Sequence, residues 1–182
     1  SRGLGDVYKR QMVGFATAMF GLVAADNFLL MYVFWEITSL LSYLLVSYYA
    51  ERASSRRAAQ QALMVTALGG LTMLMGIILL GRQTGAWTFS DISAYENFAQ
   101  TPYVTVAIVL ILAGALTKSA IVPAHFWLPG AMAAPTPVSA YLHSAAMVKA
   151  GIYLVGRLAP SMYEVATWHV VVILSLIHIS EP

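Results

Sequence analysis

Long apolar runs separated by short polar punctuation organise this chain. Residues 28–50 and 58–80 are each long enough to cross a bilayer, which takes about 20 residues of helix. Residues 12–24 are apolar but too short to span alone, and read as the end of a further helix. Asp26 and Asn27 mark a turn before the second run, with Asp26 read as the helix-start cap. Gly69-Gly70 inside the third run permits close helix packing. Pro102 is expected to open a fourth helix, where its missing N–H costs nothing. These runs are too long and unbroken for the alternation of a membrane β-barrel. The expected fold is all-α, a polytopic membrane helix bundle of about five transmembrane segments.

The fourth helix should not run straight. Pro123 cannot donate to the carbonyl of Ser119, and its ring clashes with that oxygen. A broken helix is expected between Lys118 and Pro123, with backbone oxygens left free beside the lysine. Such backbone is tolerated at membrane depth only where it is buried or hydrated. Pro129, Gly130, Pro135 and Pro137 then separate a short piece, 124–132, from a fifth helix at 138–157; a last segment starts near Trp168.

Three ionisable residues interrupt these runs: Glu36, Lys118 and Lys149. A charge at bilayer depth costs at least roughly 2.5–3.5 kcal/mol, so such residues face a protein interior or a watery path. Glu36 lies about 14 Å into its helix and Lys149 about 18 Å from Pro137, at 1.5 Å per residue. Proton or ion movement is the function this implies.

Composition agrees with a membrane protein: 59% apolar and only 10% charged residues, with mean hydropathy +0.73. A chain without cysteines excludes disulfides, thiolate chemistry and iron–sulfur clusters. No nucleotide loop, metal cluster or nucleophile constellation appears, so no cofactor and no catalytic chemistry are expected. A formal charge of +2 gives no reason to propose nucleic-acid binding. Arg52, Arg56 and Arg57 make 51–57 the most basic loop, which the positive-inside rule puts in the cytoplasm. The loop at 81–101, with Arg82 against Asp91 and Glu96, then falls outside. Residues 1–11 and 175–182 break from the neighbouring pattern and read as non-native tails, so His178 carries no functional weight. The span 12–174 between them reads as an internal, partial piece of a proton-conducting membrane domain.

Two stretches carry a family resemblance: ADNFLLMYVFWEITSLLSYLLVSYY, and LTKSAIVPAHFWLPGAMAAPTPVSAYLHSAAMVKAGIYLVGR. They resemble the antiporter-like subunits of respiratory complex I and of Mrp-type multisubunit cation/proton antiporters. The resemblance covers about residues 18–158. It implies one antiporter-like half-repeat of five helices, with the fourth broken around a lysine. Glu36 matches the family's membrane glutamate, Lys118 the broken-helix lysine, and His143 the next helix's histidine. Lys149 and His125 favour the large subunit of the Mrp type, as does Gly70, where the complex I subunit carries an acidic residue. The resemblance thus implies a bacterial cell-membrane subunit of a Na+/proton antiporter, working with other membrane subunits in the lipid bilayer. The alternative is a proton-pumping, non-redox subunit of NADH:quinone oxidoreductase or of a related membrane hydrogenase.

A mechanism follows from the residues and the resemblance together. Desolvation disfavours an ammonium and a nearby carboxylate restores it. Glu36 is therefore expected to control whether Lys118 keeps its proton, with transfer toward Lys149 through His143 and waters. His143 and Lys149 stand about 120° apart on an ideal helix, which suits a lateral relay. Plainer roles stand beside these. Glu36 and Lys118 can form a structural pair, Lys149 can snorkel, and His143 can bond a helix carbonyl. His125 can cap carbonyls freed at the break, and Trp35, Phe126 and Trp127 can be packing or interfacial anchors.

Overall fold

The structure is a computed structural model that describes residues 2–47, 53–121, 124–131, 147–163 and 165–180. Its elements are α1 (Arg2–Ala24), α2 (Phe28–Ser47), α3 (Ala53–Thr84), the short α4 (Phe89–Ser93) and α5 (Val104–Lys118). A 3₁₀ turn at Ala124–Phe126 leads into α6 (Trp127–Ala131), followed by α7 (Val148–Met162) and α8 (Ala166–Ser180). No strand occurs among the described residues; one isolated bridge joins Asn27 and Thr88. The all-α expectation holds. α1 runs continuously through the stretch whose sequence reads as a tail.

α2 shows which solvent this fold is built for. Its exposed stripe is apolar: Leu29, Val33, Ile37, Leu40 and Leu44. Its buried stripe mixes Phe28, Met31, Trp35 and Leu45 with Thr38, Ser39 and Ser42. A helix in water places its hydroxyls the other way round. α3 repeats the pattern, with Met64, Leu68, Leu71 and Met75 outward and Thr66, Met73, Ile77 and Leu80 inward. Both α2 and α3 contain spans of membrane-crossing length and hydropathy, whereas α5 is apolar but shorter.

α5 packs most extensively on α3, and α2 lies against both α1 and α3. The Gly69-Gly70 pair does permit the expected close packing. A Cβ on Gly114 of α5 would strike the Gly69 carbonyl, and one on Gly69 would meet Thr117 Cβ at 2.8 Å.

Several element boundaries differ from expectation. Asn27, not Asp26, caps α2: its Oδ1 accepts from Leu29 N at 2.9 Å and Leu30 N at 3.1 Å. Only the residue immediately before the first turn reaches those amides. Arg56 and Arg57 belong to α3 rather than to a loop, since arginine is a good helix former. α5 starts at Val104, not at Pro102, because Tyr103 takes a left-handed φ of 59° that no helix continues. α7 runs past Arg157 to Met162, through Pro160.

Candidate functional site

α5 ends at Lys118, five residues before Pro123, which lies outside the described residues together with His143 and Arg52. The ending is hydrogen-bonded. Ile121 N donates to Leu116 O at 3.0 Å and Ala120 N to Thr117 O at 3.2 Å, with Ala120 left-handed at φ 52°. That is a Schellman stop with alanine where glycine is usual. Trp127 Nε1 also donates to Thr117 O at 3.1 Å, so that backbone oxygen beside the lysine is taken. His125, a candidate for that capping, is exposed on the 3₁₀ turn.

Lys118 itself is fully buried, at 0% exposure. Its Nζ donates to Trp35 O at 2.6 Å, Thr38 Oγ1 at 2.7 Å and Ser39 Oγ at 3.0 Å. The ammonium also lies 4.4 Å from the Trp35 ring centroid. These three acceptors satisfy all three donors of a lysine ammonium. All are neutral, and all come from one turn of α2. That turn is suited to the task because residues i, i+3 and i+4 share a helix face. Both hydroxyls also bond the same carbonyl: Thr38 Oγ1 to Trp35 O at 2.7 Å and Ser39 Oγ at 3.2 Å.

Glu36 sits on that same turn, half-buried, and does not reach the ammonium: among the described residues the ion pair is Arg157–Asp26. Lys118 and Tyr32 still act electrostatically on the Glu36 carboxylate. Its Oε1 is buried without a hydrogen-bond partner and lies against Gly70, where any Cβ would overlap it. Gly70 therefore has a reason of its own. α3 comes so close to the glutamate that a side chain at this position would force the carboxylate to move.

The remaining predicted residues lie apart. Lys149 is on the exposed face of α7. Its helix is nonetheless tied to the break, because Ser119 Oγ donates to Val148 O at 2.7 Å. The sequence reading missed Thr38 and Ser39, and assigned Trp35 to packing or interfacial anchoring. Two hydroxyls in the middle of an apolar helix, on the face of Trp35, were the signal that could have found them.

A second polar cluster occupies the end of the bundle at α4. Phe28 N donates to Trp87 O at 3.0 Å and Phe89 N to Asp26 O at 2.9 Å, joining the starts of α2 and α4. Asp26 accepts from Ser90 Oγ at 2.8 Å and pairs with Arg157 at 3.4 Å. Arg157 Nη1 further donates to Ala25 O at 2.7 Å and Val23 O at 3.1 Å. Asp26, expected to cap α2, is thus a tertiary clamp.

Comparison with known proteins places this geometry. Residues 25–180 match the family described as NADH:quinone oxidoreductase/Mrp antiporter, TM. The A1 subunit of the Na(+)/H(+) antiporter of Staphylococcus epidermidis is 48% identical over 161 residues, covering 88% of this chain and 20% of that protein. The A1 subunit of the Staphylococcus aureus antiporter is 46% identical over 169 residues, covering 92% and 21%. The chain thus spans about a fifth of the length of these curated relatives. Among solved structures, the Mrp complex of a Dietzia species superposes with TM-score 0.83 at 41% identity, over 91% of this chain and 18% of that one. An archaeal respiratory complex, the membrane-bound sulfane sulfur reductase, superposes with TM-score 0.84 at 25% identity, over 92% and 34%.

Proposed function

From the premise that the chain belongs to the NADH:quinone oxidoreductase/Mrp antiporter transmembrane family, we propose that it is part of the large subunit of a Mrp-type Na+/proton antiporter and carries protons through Lys118. One observation carries the reading: a lysine at 0% exposure, at the end of a broken helix, whose direct partners are all neutral. A structural ion pair would put a carboxylate on that ammonium. An ammonium held by neutral dipoles can release its proton without stranding an anion in contact with it.

Glu36 modulates this step from one turn away. With α3 pressed on its free oxygen, a small shift of α2 against α3 changes the distance between carboxylate and ammonium. His143, Lys149 and His125 continue the route. Lys149 faces away from the described bundle, where further membrane subunits or the rest of the protein would meet it. The complex works in a bacterial cell membrane with the Arg52–Arg56–Arg57 end in the cytoplasm, exchanging protons for a monovalent cation, Na+ by analogy with the similar subunits. The chain is a transporter subunit rather than an enzyme. The likeness to an archaeal respiratory complex supports a second reading, a proton-pumping subunit driven by redox chemistry on other chains. Gly70 favours the first, since the subunit of the complex I type carries an acidic residue at that position.

The test is Lys118→Ala in the complete complex, reconstituted in vesicles. Na+-dependent pH change should be abolished while assembly is kept. Unchanged flux in an assembled complex would overturn the reading.

A further inference from the structure

Beside Lys118, between α2 and α3, lies a small, partly open cavity with room for about one water molecule. Its polar wall is Ser39, Ser42, Tyr43 and Thr66, and its apolar wall includes Val46 and Met147. Four hydroxyls around a space of this kind suit water, which needs two to four polar partners. Of the three groups that bind the ammonium, only Ser39 also lines the cavity; Trp35 and Thr38 do not. Ser39 is also the loosest of the three contacts, at 3.0 Å from Nζ, and its bond to Trp35 O is long at 3.2 Å. Thr38 Oγ1 holds the same carbonyl at 2.7 Å, so Trp35 O keeps a donor if Ser39 turns away.

We infer that the Ser39 hydroxyl is the link through which Lys118 exchanges its proton with water in this cavity. The inference rests on the proton-carrying role proposed above. The hydroxyl rotates from Trp35 O toward a cavity water while its oxygen still accepts from Nζ. In the transfer the Nζ–H bond breaks as a new Oγ–H bond forms. The hydroxyl's own O–H bond breaks as the water takes that proton. What remains is a neutral lysine, an intact serine and a hydronium that the cavity passes on; the reverse sequence reloads the lysine. Thr38, which has no face on the cavity, is a positioning residue: it holds the ammonium and the Trp35 carbonyl while Ser39 moves.

The experiment compares Ser39→Ala, Ser39→Thr and Thr38→Val with Lys118→Ala, using Na+-driven proton flux of the complete complex in vesicles, scaled to assembled complex. Ser39→Ala should lower flux roughly tenfold or more, the scale of a lost proton-transfer group. Ser39→Thr, which restores the hydroxyl, should recover most of it, and Thr38→Val should cost less than Ser39→Ala. If Lys118→Ala abolishes flux but Ser39→Ala leaves it at the wild-type level, the inference fails and the role of Lys118 stands. If Lys118→Ala is itself without effect, the underlying reading fails instead. Equal losses in Ser39→Ala and Ser39→Thr would mark Ser39 as a packing residue and overturn the inference. Should the alanine variant not assemble, Ser39→Cys keeps the size with a weaker hydrogen-bonding group. A clear fall in its flux supports the link, and wild-type flux overturns it.

Discussion

Arg157 and Lys118 are both cations packed over aromatic rings and bonded to backbone carbonyls, yet their carboxylates are arranged differently. The Arg157 guanidinium lies 4.1 Å from the Phe89 ring centroid, bonds the carbonyls of Val23 and Ala25, and meets Asp26 directly at 3.4 Å. Asp26 in turn accepts from Ser90. Cation and anion there are both partnered, which makes a tie between α1, α2, α4 and α7. At the interior site the ammonium has three neutral acceptors, and the neighbouring Glu36 keeps a buried oxygen with no partner. On the function proposed above, the contrast separates a clamp from a switch. Opposite charges in contact fix a geometry, whereas charges held one turn apart by neutral groups can change their protonation without breaking a pair.

The sharpest way to break this comparison is to remove the interior cation without leaving a hole. Lys118→Met keeps most of the side-chain volume, so the complex should assemble while Na+-dependent proton flux in vesicles disappears. Flux near the wild-type level would make Lys118 as static as Arg157. Next in size is Gly70→Ala, which pushes a methyl group into the Glu36 carboxylate. Overpacking of this kind costs about 1–3 kcal/mol, read as a lower thermal midpoint of the complex, and flux should fall with it. An alanine tolerated with full flux would show that α3 does not confine the glutamate.

At the clamp the prediction reverses: stability falls but flux per assembled complex holds. Arg157→Ala should cost about 1–3 kcal/mol, because the Ala25 and Val23 carbonyls lose a charged donor. Asp26→Asn should cost only about 0–1 kcal/mol, since the pair is partly exposed, at 26% and 46%, and solvent screens it. Thermal midpoints of the two variants check that order. A larger loss for Asp26→Asn would mean the ion pair, not the carbonyls, holds the tie. The smallest effect is expected at the break. Ala120→Gly relieves a left-handed alanine at φ 52° and should stabilise by about 1 kcal/mol, with flux retained. A destabilised glycine variant would show that the stop depends on the Ala120 methyl.

Much of this was legible in the chain. Apolar runs gave the helices, because run length and hydropathy are local properties that a bilayer reads directly. Charges inside those runs gave Glu36 and Lys118, because burying them without purpose is too costly. Pro123 announced the break, though the helix stops earlier, at a Schellman turn that needs no glycine signal. The tertiary structure alone decided which groups hold Lys118. Trp35 O is a backbone atom with no sequence signature, and Thr38 and Ser39 gain their role only when α5 ends opposite that turn of α2. Packing also decided that Asp26 clamps while Asn27 caps, and that Gly70 backs onto Glu36. Residue type fixes what a side chain can donate or accept; the distance at which two helices cross decides what it meets.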